Sequence, residues 1–581
     1  MQIKAIPDHV YQNFILRNDT LSADDVEKID SHITELKFKP LFSILLFPDE
    51  SNFFLIDAIN SVLAQRYRNL ELIIAVNPFT NADTLNKINE YAHLDSRIKP
   101  LYHKETFSFI RSFNSALKIV SGDYIIQLSG DDFMAAQALY HFAVEANRFD
   151  SAHIIYSDED QIKKNYFRLN PHFKPDWNLE YFLSHNYIGK SFALKSLFVR
   201  SLKGIKYENH SLAFFDLIMR MLNHISAKQI RHIPRVLLHT RNSDQDSSTC
   251  PHDVQYLRKR ARIANKHLAP MNGKTKINSS TNSLNIEFQY DLRKHFVSII
   301  IPTRNELQKL YDCISSISTN TKKIKYEIII VNNQSSHPEK IFAIASQFPH
   351  LAINIIDFDS PFNFSTINNL AAKHSKGDII CLLNNDTVIL KNNWLIDLVS
   401  HAARPDIGAV GPKLLYPTGQ IQHAGVILGI GGVAAHAYRL ESSDSSGYLN
   451  RLNCLQEVSA VTGACLAVKK SIFFLVGGLD ESLSVAFNDV DFCLKVNNAG
   501  FRNLFIPYIS LQHFESLTRN APDQQHLASF FEHEVDFMKK KWGKVLTSDP
   551  FYNPNLTLSA SDFSLSTSQV ESPHHGYPLV I

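Results

Sequence analysis

The sequence is poor in the features that mark secreted, membrane-spanning and nucleic-acid-binding proteins. Its six cysteines form no CxxC pair and mostly lie in apolar stretches, which indicates buried thiols in a reducing compartment. There is no charged leader and no run of about 18 apolar residues, so we predict neither secretion nor a membrane span. Lys and Arg total 59 against 57 Asp and Glu, and a net charge of +2 gives no reason to expect nucleic acid. We therefore expect a cytoplasmic protein.

Apolar residues are plentiful and follow a repeating pattern. They make up 44% of the sequence against 20% charged residues, an ordinary globular balance, and 581 residues are too many for one hydrophobic core. Strand-like runs at residues 42–48, 70–76 and 122–128 are separated by helical stretches. This alternation predicts an α/β domain with a parallel, doubly wound sheet.

The second half of the chain repeats this pattern. The matching segments are residues 42–48 with 296–302, 70–77 with 326–333, 109–116 with 364–371, and 122–131 with 377–386. Four matches in the same order predict a duplicated domain.

The domain boundaries follow from the polar stretches between these segments. We predict a helical N-terminal appendage over residues 1–36, a first domain over 37–241, a linker over 242–294, a second domain over 295–545 and a tail over 546–581. Ser22 is the expected start of a helix in the appendage. The linker contains a basic helical piece, residues 256–267, which could contact anionic lipid or glycan, although a solvated helix face is the favoured interpretation.

The stretch LLNNDT, residues 382–387, ends a predicted buried strand with Asn384, Asn385 and Asp386. Ligands of open α/β sheets bind beyond the carboxyl ends of the strands, so these side chains are placed to meet a phosphate or a metal ion. Taken alone, the tripeptide is more typical of a turn, because Asn and Asp tolerate the left-handed conformation. The motifs that follow it in the sequence favour a ligand site over a simple turn.

Five further segments of the second half occur after Asp386: residues 407–411, 461–465, 477–481, 488–493 and 511–516. With these motifs in this order the chain resembles family-2 inverting glycosyltransferases of the GT-A fold. The resemblance covers about residues 40–555 and is strongest to long two-domain bacterial enzymes of O-antigen, lipopolysaccharide and other surface polysaccharides, including rhamnosyltransferases.

The resemblance implies two tandem GT-A domains, which are Rossmann-like nucleotide-diphospho-sugar transferase folds. It implies transfer of a sugar from a nucleotide-diphosphate donor, either dTDP-rhamnose or a UDP-sugar, to a growing or lipid-linked bacterial glycan. It also allows peripheral association with the inner face of the cytoplasmic membrane.

A family member needs a divalent cation, Mg²⁺ or Mn²⁺, to meet the charge on the departing diphosphate. By resemblance, Asp386 and His513 are the candidate metal ligands, and a mixed oxygen and nitrogen set suits Mn²⁺ as well as Mg²⁺. Asn384 stands where the family has the first residue of its Asp-x-Asp motif. Alone, His513 would more often be a structural histidine.

Asp489 and Asp491 are the catalytic candidates. An inverting transfer needs a base for the acceptor hydroxyl, and the resemblance favours Asp489 in that role. Asp491 would cap the turn or orient neighbouring groups. The helix dipole also favours acidic residues in a first turn, which is the purely structural alternative.

The donor nucleotide is expected at the ends of the first two strands of the second domain. The candidate donor-binding residues are Pro302, Thr303, Arg304, Asn305, Asn332, Asn333, Asn368, Asn384, Asn385 and Arg519. The family usually has an aspartate at Asn332 or Asn333, and an amide can still bond to a uracil or thymine edge.

The first copy departs from the family at three functional points. Val76 and Asn77 replace acidic residues at the second strand, Ser129 replaces the first metal-motif residue, and Phe214 stands at the base position, where it cannot accept a proton. We therefore predict an inactive first domain. Two alternatives are a bifunctional enzyme and a glycan-binding scaffold. A sugar nucleotidyltransferase is disfavoured because residues 302–305 are not a glycine-rich loop.

Overall fold

The computed structural model describes residues 6–48, 53–76, 78, 80–103, 108–241, 254–514 and 523–568. Two helices, α1 (Asp8–Asn18) and α2 (Ala23–Glu35), precede two α/β domains. Ser22 and Asp25 form a reciprocal capping box at the start of α2, which confirms the helix start predicted at Ser22. Among the helices of the described ranges, none has both the length and the apolar character needed to cross a bilayer.

The first domain is built on a nine-stranded sheet. Its elements are β1 (Phe42–Phe47), α3 (Leu55–Leu63), β2 (Leu70–Val76), α4 (Ala82–Leu94), β3 (Ile98–Tyr102), α5 (Phe109–Ile119), β4 (Tyr124–Ser129), β5 (Phe133–Met134), α6 (Ala138–Arg148), β6 (Ile154–Ile162), β7 (Arg168–His172), α7 (Leu179–Ser184), β8 (Phe192–Lys195), α8 (Ser196–Ser201), α9 (His210–Met221) and β9 (Ile230–Thr240). The strand order is β3-β2-β1-β4-β8-β6-β9-β5, with β7 on β6. Strands β3, β2, β1 and β4 are parallel, as the alternating pattern predicts.

The predicted linker is folded where it is described. It contains α10 (Val254–Leu268) and a hairpin of β10 (Gly273–Asn278) and β11 (Ser283–Phe288). The guanidinium of Arg260 donates to the carbonyl of Ser184 in the first domain. The hydroxyl of Tyr508 in the second domain donates to the carbonyl of Ile286 at 2.9 Å. The segment is therefore a connector that packs on both domains.

The second domain repeats the sheet of the first. Its elements are β12 (Phe296–Thr303), α11 (Leu307–Asn320), β13 (Lys325–Asn332), α12 (Pro338–Ser346), β14 (Ile353–Asp357), α13 (Phe364–His374), β15 (Ile379–Leu383), β16 (Thr387–Ile389), α14 (Trp394–Ala402), β17 (Ile407–Leu415), β18 (Ile421–His423), β19 (Val426–Leu428), β20 (Ala434–His436), β21 (Gln456–Glu457), β22 (Cys465–Lys469), α15 (Lys470–Leu475), α16 (Asn488–Asn498), β23 (Arg502–His513) and α17 (Asp523–Trp542). The order β14-β13-β12-β15-β22-β17-β23-β16 matches the first sheet strand for strand. The predicted duplication of an α/β domain is confirmed.

Both copies use the same buried link between neighbouring strands. Ser43 donates to Glu71 in the first sheet, and Ser298 donates to Glu327 at 2.7 Å in the second. In both, a backbone N–H at the start of the next strand donates to the same serine, from Gly122 at 2.9 Å and from the corresponding Gly377 at 2.8 Å. A Cβ on either glycine would lie about 2.5 Å from a backbone carbonyl or serine oxygen, so only glycine fits.

Three consecutive acidic residues of β6, Asp158, Glu159 and Asp160, each bond to a different part of the chain. Asp158 bonds to His232 of β9 and Asn553, Glu159 to Lys174, and Asp160 to His239 of β9 and Tyr11 of α1. All three carboxylates are buried. This acidic run therefore holds α1 and the C-terminal segment against the first domain.

The two domains meet through buried charges and through the C-terminal segment. Glu180 of α7 accepts from Arg404 at 2.8 Å and from both terminal nitrogens of Arg502. Asp549 accepts from Ser459 of the second domain at 2.8 Å, and Asn553 donates to Asp158 of the first at 2.9 Å. The predicted tail, which is described to residue 568, thus bonds to both domains.

Candidate active site

The two predicted metal ligands lie side by side. Asp386 ends the turn after β15, and β16 then pairs antiparallel with β23, so that Thr387 is opposite His513. The Nε2 atom of His513 lies 3.0 Å from the Oδ1 atom of Asp386. The carboxylate is mostly buried, with a side-chain exposure of 12%. One strand pairing thus brings together two residues that are over a hundred positions apart in the sequence.

The electrostatics of this pair fit a divalent cation. In the part of the chain that the structure describes, no donor forms a hydrogen bond of good geometry with Asp386 Oδ1. Burial alone would raise the pKa of Asp386, but neighbouring groups that include the charge of Lys309 outweigh it, and the net shift is downward. An anionic oxygen and an imidazole nitrogen therefore share one small space. No group of three or more His, Cys, Asp or Glu side chains with metal-site geometry occurs in the described ranges.

The amides before Asp386 tie this turn to its neighbours. The backbone N–H of Asn384 donates to the carbonyl of Ala464 at 3.0 Å. Its side-chain amide lies 3.1 Å from Nε2 of His513. The amide of Asn385 donates to the hydroxyl of Thr303, at the end of β12, at 3.0 Å. The turn therefore joins the first strand of the sheet to the histidine.

The ends of β12 and β13 form a network of amides. The Oδ1 atom of Asn305 accepts from the backbone of Ser336 at 2.7 Å, and Asn305 itself has a φ of 61°. Asn332 donates to Asp357 at 2.8 Å. Asn333 donates to the carbonyls of Phe358 and Ser360, while its buried Oδ1 accepts no hydrogen bond from any described residue. Pro302 is half-buried and Arg304 is exposed beside this edge.

Asp489 lies at the start of α16 with both oxygens engaged by backbone N–H groups. Gly463 donates to Oδ2 and Val490 donates to Oδ1, each at 2.8 Å. Gly463 is followed by Ala464, whose carbonyl accepts from the backbone N–H of Asn384. Two consecutive residues, Gly463 and Ala464, therefore link Asp489 to the turn at Asn384. The residue before the helix, Phe487, has a φ of 57°, a left-handed conformation that is rare for an aromatic residue and typical of functional sites.

Asp491 points away from this group. It is fully buried, accepts from the indole N–H of Trp542 at 2.8 Å and pairs with Lys541 at 2.7 Å. Its contacts are with α17 and with Lys495 of its own helix, at 3.4 Å. The structure therefore separates the two carboxylates that the sequence put forward as catalytic candidates.

Asn368 is buried on α13, one turn after Phe364. Its amide donates to the carbonyl of Phe364 at 2.8 Å, and no described group donates to its Oδ1. The Phe364 ring lies next to Gly463, so Asn368 lies near the Asp489 side. Arg519, the remaining donor-binding candidate, lies outside the described residues.

Sequence reasoning missed two residues here, Asp357 and Gln422, and gave no separate role to a third, Gly463 of the segment 461–465. Asp357 places a carboxylate beside Asn332, where the first two strand ends lack one. Gly463 holds Asp489, and Gln422 accepts from Nδ1 of His513 at 2.7 Å. Asp357 directly follows a strand-like run and could have been found; the other two act through distant contacts that no local pattern reveals.

The sequence model of "Glycosyl transferase family 2" matches residues 52–200 and 298–474, which is more than half of the chain and falls in both domains. The chain belongs to glycosyl transferase family 2. The predicted family and the two tandem GT-A domains are thereby confirmed.

Several relatives share this family. An uncharacterised protein, y4gI, of Sinorhizobium fredii is 35% identical over 93% of this chain and 60% of its own length. O-antigen biosynthesis protein RfbC of Myxococcus xanthus is 29% identical over 92% of this chain and 42% of its own length. An N-acetylglucosaminyl-diphospho-decaprenol L-rhamnosyltransferase of Mycobacterium tuberculosis is 27% identical over 26% of this chain and 55% of its own length. The chain thus spans about half the length of the relatives it matches.

The first family-2 domain keeps an aspartate, Asp131, at the position of Asp386 but lacks the histidine and the base candidate described above. One strand pairing in each domain aligns the two copies here. Phe133 lies opposite His239 in the first domain, as Val388 lies opposite Gln512 in the second. The next residue, Thr240, therefore takes the position of His513, a fourth departure in addition to Val76, Ser129 and Phe214. Asn77 lies outside the described residues.

Aromatic rings fill the first domain where the second has polar groups. Phe113 corresponds to Asn368, and Phe214 corresponds to Asp489. The two rings meet edge-on with centroids 5.6 Å apart, and both side chains are buried. Hydrocarbon thus occupies the positions that polar side chains hold in the second domain.

Arg241 covers the metal-side turn of the first domain. Its guanidinium lies 3.9 Å from the ring centroid of Phe54 and 5.2 Å from that of Tyr166. It donates to the carbonyl of Asp131 at 3.2 Å and lies 3.5 Å from Asp57. Arg241 is 4% exposed, so the chain's own side chain closes this edge.

Proposed function

We propose that the chain is an inverting glycosyltransferase whose active site lies in the second domain. The observation that carries this proposal is the junction of Asp386 and His513 with Asp489 through residues 463–464 and Asn384. A metal-side carboxylate and a half-buried base candidate are held by one continuous piece of backbone. This is the arrangement that a one-step displacement at a nucleotide-sugar requires.

The donor is a nucleotide-diphosphate sugar, either dTDP-rhamnose or a UDP-sugar. Asn333 supports a pyrimidine because its buried Oδ1 can accept the single ring N–H that uracil and thymine offer. Asp357, Asn332 and Asn305 line the same strand ends and would bind the ribose. A rhamnosyltransferase among the relatives supports the rhamnosyl donor.

Asp386 and His513 would hold a divalent cation, Mg²⁺ or Mn²⁺, which supplies positive charge to the departing diphosphate. Asp489 then takes the proton of the acceptor hydroxyl. The acceptor oxygen bonds to the anomeric carbon as the bond from that carbon to the diphosphate oxygen breaks, so the configuration inverts. The N–H groups of Gly463 and Val490 orient the carboxylate while leaving it lone pairs for the proton.

The first domain serves packing and assembly rather than catalysis. Phe214 replaces the base, Thr240 replaces the histidine, and Arg241 covers the turn that would bind the donor diphosphate. The acceptor is a growing bacterial surface glycan such as O-antigen, in keeping with the name of the Myxococcus xanthus relative, an O-antigen biosynthesis protein.

The protein acts in the cytoplasm at the inner face of the membrane. Five cysteines in the described ranges are buried and free, which supports a reducing compartment. Helix α10 has no acidic residue and exposes Arg258, Lys259, Arg262 and Lys266. Such a cluster on one helix face suits an anionic lipid surface. Reversing these four charges should abolish sedimentation with phosphatidylglycerol vesicles, whereas reversing Lys539, Lys540 and Lys544 should not.

A donor panel tests the proposal. The protein is incubated with Mn²⁺, an acceptor glycan and each of several nucleotide-sugars, and the released nucleotide is measured. Release of a nucleoside diphosphate from dTDP-rhamnose or a UDP-sugar supports transfer. Pyrophosphate as the product would mean a nucleotidyltransferase, and glycan binding without turnover would mean a scaffold.

A further inference from the structure

We propose that Gln422 is a positioning residue for His513: its amide oxygen holds a proton on Nδ1 and leaves the Nε2 lone pair of the neutral ring facing Asp386. The inference deepens the proposed function and rests on it. It assigns a role to a residue on a three-residue strand that the sequence motifs do not include.

The position of Gln422 results from a β-bulge. β17 pairs with β18 through Leu414 opposite His423 and Leu415 opposite Ile421. Two residues of β17 thus oppose three of β18, and Gln422 is the extra residue. Bulges beside active sites commonly re-aim one side chain. Here the bulge directs the amide across β17 towards the end of β23.

The hydrogen-bond chemistry fixes the imidazole. An amide oxygen only accepts, so the 2.7 Å contact between Gln422 Oε1 and His513 Nδ1 requires a proton on Nδ1. In the neutral ring the other nitrogen then carries the lone pair. That nitrogen lies 3.0 Å from Asp386 Oδ1 and 3.1 Å from the amide of Asn384. Gln422 and His513 are 3% and 7% exposed, so water offers little competition.

The first domain has lost both members of this pair. In it, Glu159 pairs with His172, as Leu414 pairs with His423 in the second domain. Pro171 therefore stands at the Gln422 position and offers no side-chain acceptor. Thr240 stands at the His513 position. The second domain thus has both the amide acceptor and the histidine, and the first domain has neither.

Binding of Mn²⁺ alone, measured by electron paramagnetic resonance, tests the role. Removing a group that orients a metal-bound histidine typically weakens metal affinity 10–100-fold. We expect Gln422→Leu to show a loss of this size and Gln422→Glu, which keeps an acceptor, to stay within a few-fold of wild type. Gln420→Leu, two residues away on the surface, is the matched control and should not change affinity. Equal affinity in the Gln422→Leu variant and the wild type, both folded by their melting curves, overturns the inference.

Nitrogen-15 spectra of histidine-labelled protein without metal give a second readout. We expect the neutral His513 ring to carry its proton on Nδ1 in the wild type and in Gln422→Glu, and to lose this preference in Gln422→Leu. An Nε2-protonated ring in the wild type would contradict the inference whatever the activity. If Mn²⁺ binds wild type and Asp386→Ala equally, the proposed function fails instead. Mn²⁺ binding that depends on Asp386 but not on Gln422 refutes this inference alone.

Discussion

The backbone N–H of Gly463 donates to the Oδ2 atom of Asp489 at 2.8 Å, and Asp489 thereby faces the same loop that binds Asn384. Asp491, two residues along the same helix, faces Trp542 instead. About half a helical turn therefore separates the carboxylate that we propose as the base from one that packs against α17.

Asp489→Asn should reduce turnover by roughly two to four orders of magnitude, the usual contribution of a positioned general base. Donor affinity should stay near normal, because an amide keeps the shape and one acceptor. Initial rates of nucleotide release and calorimetric donor titration measure the two effects. Asp491→Asn is the matched control and should lower the melting temperature while the folded protein keeps its specific activity. If Asp491→Asn lost turnover and Asp489→Asn kept it, the base would be Asp491.

Asp386→Ala should abolish the thermal stabilisation that a nucleoside diphosphate gives in the presence of Mn²⁺. The reason is the loss of the only carboxylate beside His513 in this turn. Asp131→Ala, the same change in the first domain, should leave stabilisation, turnover and the glycan product unchanged. A product that lacks one linkage in the Asp131→Ala variant would show that both domains are active.

Phe214→Ala should lower the free energy of unfolding by about 3–5 kcal/mol, the usual cost of removing a buried phenylalanine ring. Its ring contacts are with Phe109, Phe113, Phe192 and His210. Turnover well below the melting temperature should not change, because the ring lies in the first domain. Phe342→Ala, at a side chain that is 53% exposed, is the control and should cost little. A loss of turnover in the folded Phe214→Ala variant would give the first domain a catalytic role.

Stability should fall between about pH 6.5 and pH 9 through His232. Burial alone would lower the pKa of His232, but Asp158 and Asp176 outweigh it and raise it to about 9. The unfolded value is about 6.5, so the stabilising charge is fully present below that pH and is lost as the pH rises through the folded value. Melting temperatures of wild type and His232→Gln from pH 6 to pH 10 should converge at the alkaline end. A constant difference would contradict the assignment.

The fold could be predicted because its signal is local. Apolar strands that alternate with helices, repeated in the same order, predict two α/β domains, and the capping box at Ser22 is visible in four residues. The turn at Asp386 and the helix start at Asp489 are local in the same sense.

What the sequence did not predict depends on contacts between distant segments. The hydrogen bond between Asn553 and Asp158 joins residues 395 positions apart, and Gln422 reaches His513 across 91. The segment predicted as a linker looked polar because its hairpin has one buried face, with Leu284 and Ile286 at 0% exposure, and one solvated face. Short strands with few apolar residues show too weak an alternation of apolar and polar residues to be distinguished from a loop.

The bonds of Asp549 and Asn553 to opposite domains also bear on how the protein is made. Residues 549–553 leave the ribosome after both sheets have been synthesised, so each domain can collapse on its own before this segment arrives. The buried residue Asp158 is therefore synthesised 395 residues before Asn553, its hydrogen-bond partner. Premature termination just before residue 549 should leave the two domains joined by Glu180 and its two arginines, while Asp158 loses its hydrogen bond from Asn553.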